Sequence, residues 1–95
     1  MMYLKELGFE EEVINSICEN IPAAATAKLE ESQEIVTANI KYLIDLGVTN
    51  YIDAFIKFYN MFLLDNQTFD EIFSKYDRED LIAKLEKNVA IMEYL

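Results

Sequence analysis

Residues 33 to 48, Gln33-Glu34-Ile35-Val36-Thr37-Ala38-Asn39-Ile40-Lys41-Tyr42-Leu43-Ile44-Asp45-Leu46-Gly47-Val48, carry the pattern that decides the fold class. Ile35, Val36, Ile40, Leu43 and Ile44, with Tyr42 alongside, recur at the three- and four-residue spacing of one helical face. The spacing predicts an amphipathic helix from about Gln33 to Leu46. Gly47 closes it, because the position after a helix commonly takes a left-handed conformation that glycine adopts without steric cost.

Downstream, Thr49 is a candidate cap for a helix from about Asn50 to Asn60. Tyr51, Ile52, Phe55, Ile56, Phe58 and Tyr59 surround most of that helix, which reads as the buried centre of the domain. Asp65-Asn66-Gln67 reads as a polar turn, and Thr68 with Glu71 matches a capping box for a helix over about Phe69 to Lys75. Asp77 then caps a last helix, about Arg78 to Tyr94. Upstream, Met2 to Leu7 forms a short helix closed by Gly8. A second helix, about Glu10 to Glu19, carries the stripe Val13, Ile14, Ile17, Cys18 and Ile21. Pro22 breaks it by disfavouring helical geometry at Ile21, and the run Ala23 to Ala27 restarts helix after it.

The composition agrees. Two glycines and one proline in 95 residues are too few for the turns of a β-sandwich, so an all-α chain of about five to six helices is expected. The 53% hydrophobic content is too high for disorder, and charges interrupt it too often for a membrane span. With no histidine, His-based triads and His-containing zinc sites are excluded. Cys18, the only cysteine, reads as a buried thiol, and no intrachain disulfide can form. The start Met1-Met2-Tyr3-Leu4-Lys5-Glu6 has neither the charged leader nor the apolar core of a secretory signal, so a cytoplasmic location is expected.

The net charge of -10 is unevenly spread. Residues 1–34 hold eight acids and two bases, residues 35–64 two of each, and residues 65–95 eight acids and four bases. Nucleic-acid affinity comes from Lys and Arg displacing counterions, and eight basic side chains scattered in an acidic chain disfavour direct binding.

A shift of 39 residues lays the N-terminal segment over the middle one. Tyr3-Leu4 pairs with Tyr42-Leu43, Leu7-Gly8 with Leu46-Gly47, Val13 with Ile52 and Ile17 with Ile56. A single domain of two tandem helix-turn-helix units, about 1–39 and 40–78, plus a C-terminal helix follows from this. Tyr94-Leu95 is a third Tyr-Leu pair. Leu4-Lys5-Glu6-Leu7-Gly8-Phe9 and Leu43-Ile44-Asp45-Leu46-Gly47-Val48 resemble the helix end of the mitochondrial transcription termination factor repeat, as does Pro22, 14 residues after Gly8. The resemblance implies a right-handed stack of helical hairpins of the α-α superhelix kind. Met61 stands where the second unit would have its proline, and the clustered basic residues by which such repeats hold nucleic acid have no counterpart here.

Glu10-Glu11-Glu12 sits at a helix start, where negative charge meets the positive end of the helix dipole. Asp65-x-Gln67 lacks the glycine and terminal glutamate of a calcium loop. No metal, cofactor or catalytic constellation is expected, and the chain reads as a non-enzyme. Phe55, Phe58, Tyr59, Phe62, Phe69, Phe73 and Tyr76 read mainly as core. Tyr59, Met61, Phe62 and Leu63 are the candidates for an apolar, acid-rimmed surface that binds a protein partner. Such a surface would make the chain an interaction module, scaffold or small regulatory subunit. The alternative is an acidic mimic of nucleic acid that occupies the basic channel of a DNA-binding enzyme. The oligomeric state is left open.

Overall fold

Two glycine turns set the path of the chain. In the computed structural model, which describes all 95 residues, Gly8 and Gly47 lie at φ 95° and φ 104°, the left-handed region in which an L side chain is strained. At each turn the glycine N–H donates back into the preceding helix end. The next N–H does the same, from Phe9 to the Leu4 carbonyl (3.1 Å) and from Val48 to the Leu43 carbonyl (3.0 Å). The two turns thus satisfy orphan helix carbonyls in the same way.

Six α-helices result: α1 (Glu11–Asn20), α2 (Ala23–Glu31), α3 (Gln33–Leu46), α4 (Tyr51–Phe58), α5 (Asn66–Ser74) and α6 (Arg78–Lys87). Three 3-10 segments complete the all-α fold: Met2–Leu7, Tyr59–Leu63 and Val89–Tyr94. The expected helix over Met2 to Leu7 is therefore a 3-10 turn. The expected helix to Asn60 leaves α geometry after Phe58, and that to Tyr94 breaks at Asn88, whose backbone is extended (φ -156°) and whose side chain accepts from Ala90 N–H.

Capping also differs in detail. Asp77 accepts from Asp80 N–H at 3.1 Å, as expected of a cap. The cap of α5 is Asp65, which accepts from Thr68 N–H at 2.7 Å, so the stretch read as a polar turn already contains the helix start. Thr49 caps nothing; its hydroxyl donates to Glu86 at 3.3 Å, and the neighbouring Asn50 amide donates to the Leu85 carbonyl at 2.7 Å. Arg78 Nε donates to the Leu46 carbonyl at 2.8 Å, setting a cation at the negative end of α3.

The helix α3 is the hub. It touches α2, α4, α5 and the first two 3-10 segments, so the unit boundary expected near residue 39 falls inside one continuous helix. Nineteen buried hydrophobic residues form one core. Through it runs a chain of ring contacts, Phe9 to Phe55 (5.5 Å), Phe55 to Phe62 (5.2 Å), Phe62 to Phe69 (5.3 Å) and Phe69 to Phe73 (4.7 Å). These separations lie in the favourable range for offset and edge-on aromatic pairs. The radius of gyration, 12.8 Å, is close to the ~12 Å of a compact chain of this length.

One polar side chain lies inside. Asn39 is 1% exposed, and its amide donates to the carbonyls of Phe62 (2.9 Å) and Leu64 (2.8 Å). Its oxygen accepts from Asn66 at 2.8 Å. This network ties Tyr59–Leu63 and the start of α5 to α3, supplying backbone partners where the regular helix has ended.

Candidate functional site

Of the four candidate surface residues, the structure removes one and divides the rest. Phe62 is fully buried and packed between Phe55 and Phe69, so no partner can reach its ring. The reason lies in the backbone: the chain leaves α geometry after Phe58, and the Asn39 bonds to the Phe62 and Leu64 carbonyls hold this segment against α3, which turns the Phe62 ring into the core. Met61 and Leu63 are half-buried against the core. Tyr59 alone lines a groove.

That groove runs between α1 and α4, has a volume of about 430 Å³ and opens to solvent on one side. Val13, Ile17 and Ile21 form its wall from the α1 side, and Ile56 and Tyr59 form the opposite wall. Ile56 is 40% exposed, and it stands with half-buried Tyr59 on the α4 side of the groove. Ser16 and Asn20 complete the α1 side, with Asn20 Nδ2 donating to the Ser16 carbonyl at 2.7 Å. Glu12 stands at the rim. Its neighbour Glu11 pairs with Lys5 at 3.5 Å.

Val13, Ile21 and Ile56 fit core stripes in the sequence, which hides their part in the groove, whereas Ile17 is buried as its stripe predicts. The available signal was α4 itself, apolar around most of its circumference. A helix of that kind has more apolar surface than one layer of neighbours in a chain this small can cover.

Cys18, expected to be buried, is exposed: it sits on α1 at the edge of the stripe, while Ile14 and Ile17 take the inward positions. Tyr76, the last of the aromatic run, is 41% exposed. Glu30, Glu31 and Glu34 gather at a shallow polar hollow where α2 meets α3, and no group of acidic or thiol side chains is arranged to hold a metal ion. No helix is long and apolar enough to cross a membrane.

Three side chains have displaced acidities. Burial, then the nearby Glu30 carboxylate, pushes the Tyr3 phenol up to about 12, and its hydroxyl donates to the Leu29 carbonyl at 3.0 Å. Burial and then Asp70 raise Tyr42. The Thr68 N–H that Asp65 caps lowers the Asp65 carboxyl. All three serve the fold, and none lines the groove.

An all-α fold with an apolar trough edged by a single acid, Glu12, is the class of molecule these features define. Compared with family models, curated proteins and solved structures, the chain matches none.

Proposed function

We propose that the protein is a non-catalytic interaction module that binds a protein partner in the groove between α1 and α4. The groove itself carries the reading: Val13, Ile21, Ile56 and Tyr59 offer apolar surface at an open trough lined below by Ile17, with Glu12 at the edge. An apolar centre with a polar rim is the usual anatomy of a recognition surface, and the volume lies within the range of binding clefts. A binding role also suits a chain with no histidine, some of whose acidic side chains serve as helix caps or first-turn charges. The same reading sets it in the cytoplasm, where a single free thiol stays reduced.

We further read the fold as two tandem units of the α-α superhelix kind. The matched geometry of the Gly8 and Gly47 turns supports this.

The test is affinity capture from host lysate with the protein and its Ile56→Glu variant, at low and at about 0.5 M salt, where charge-driven contacts are screened. A partner held at high salt and lost with Ile56→Glu, while circular dichroism shows the variant folded, is the expected result. Partners that are released by salt, displaced by DNA and indifferent to Ile56 would overturn the groove in favour of nucleic-acid mimicry.

A further inference from the structure

We infer that the occupant of this groove is an amphipathic α-helix of two to three turns whose apolar face is flanked by Lys or Arg. The inference rests on the interaction-module reading above and specifies the partner's chemistry. Three observations carry it.

The first is shape. The ten residues of α1 extend about 15 Å, with Val13 and Ile17 one turn apart on the wall and Ile21 just past the helix end. Ile56 and Tyr59 face them from the other side. A trough with anchors at one-turn spacing matches a helix that presents residues i, i+3 or i+4, and i+7.

The second is the absence of strands. Extended peptides gain affinity by adding to an open sheet edge, and this all-α chain has none to offer. A helix brings its own backbone hydrogen bonds and needs only side-chain surface.

The third is charge. Glu12 lies at the rim, and Glu19, seven residues on, falls on the same stripe of α1. On α4, Asp53 is one turn before Ile56. All three are exposed, and Lys57 is the only basic residue on either helix. Acid along the α1 edge, with Asp53 offset by Lys57 on the α4 edge, attracts a cationic partner and repels an anionic one. A second copy of this chain, at net charge -10, is disfavoured for the same reason.

The test is a fluorescence-anisotropy titration with three designed peptides of about 14 residues, enough for almost four helical turns. One carries leucines at i, i+3 and i+7 with flanking lysines, one is identical with flanking glutamates, and one is a shuffled version of the first. Binding of the lysine-flanked helix about tenfold tighter than either control, lost with Ile56→Glu, is expected. In the Glu12→Lys, Glu19→Lys, Asp53→Lys triple variant the preference should turn to the glutamate-flanked helix. Equal binding of the shuffled peptide, or a charge preference that the triple variant leaves unchanged, would overturn the inference. So would an Ile56-dependent dimer in sedimentation. If the lysate partner still depends on Ile56 while no helical peptide is preferred, the partner's chemistry is wrong and the groove reading stands. Should neither depend on Ile56, both fail.

Discussion

Asn39 holds three polar partners inside an apolar core, and the energetics of its replacement follow from what each would be left without. Asn39→Leu removes the donors to Phe62 and Leu64, and a buried carbonyl without a partner costs about 1–3 kcal/mol. Asn66→Ala, which takes away the donor to the Asn39 oxygen and a longer, exposed bond to the Ile35 carbonyl, should cost about 1 kcal/mol. Urea unfolding of both variants checks the order, and equal midpoints would contradict it. The two glycines differ in a similar way. A methyl group on Gly8 would lie 2.6 Å from the Tyr51 hydroxyl, which itself donates to the Leu7 carbonyl at 2.7 Å. On Gly47 it would meet the mobile end of Ile82 at 3.3 Å. Both alanine variants bear the left-handed strain of about 1–2 kcal/mol, so Gly8→Ala should be the more destabilising of the two by the same unfolding measurement. Tyr3 makes a prediction about pH. Its phenol is held neutral to about 12 in the folded chain against 10.0 ordinarily. The stability that this contributes is complete below pH 10 and is lost as pH rises from 10 towards 12. Tyr3→Phe should therefore lose stability less steeply across that interval in an alkaline titration followed by circular dichroism.

Among the elements, α5 shows how a cap reaches both stability and legibility. Asp65→Ala removes the bond to Thr68 N–H and should lower the urea midpoint of unfolding. Because the folded state lowers the Asp65 carboxyl, the cap is fully effective above its ordinary value of 3.8 and weakens as pH falls through its folded value. The difference between the native chain and Asp65→Ala should thus shrink in acid. Asp65-Asn66-Gln67 looked like a turn because Asp and Asn favour turns and caps alike, and only the bond to Thr68 N–H tells them apart. Helix α3 was fully legible, since its apolar period and Gly47 agree on where it ends. The 3-10 segments were not. Tyr59–Leu63 follows α4 without any breaker residue, and what diverts it is the Asn39 amide, 23 residues away in sequence. Local pattern carries no trace of a bond of that length. The candidate surface failed for the same reason: Phe62 was correctly read as large and apolar, but its burial depends on the diverted backbone.

For the molecule as a whole, the core and the groove separate cleanly. Phe62 joins the two halves of the aromatic chain, and Phe62→Ala should cost about 3–5 kcal/mol, a large share of the ~5–15 kcal/mol available to a single domain. Loss of a cooperative thermal transition is the expected readout. Ile56→Glu, at a 40% exposed position, should leave the transition in place while removing the partner.

Helix α3 runs unbroken through residues 39 and 40, where the sequence repeat would divide the chain. Tyr51, from the second half, closes over Gly8 in the first, and Asn39 anchors the segment beyond α4. Each half thus supplies a side chain that the backbone of the other depends on. Fragments 1–39 and 40–95, each unstructured alone, should recover helical signal when mixed, which would make the protein a split reporter whose reassembly can be switched by proximity.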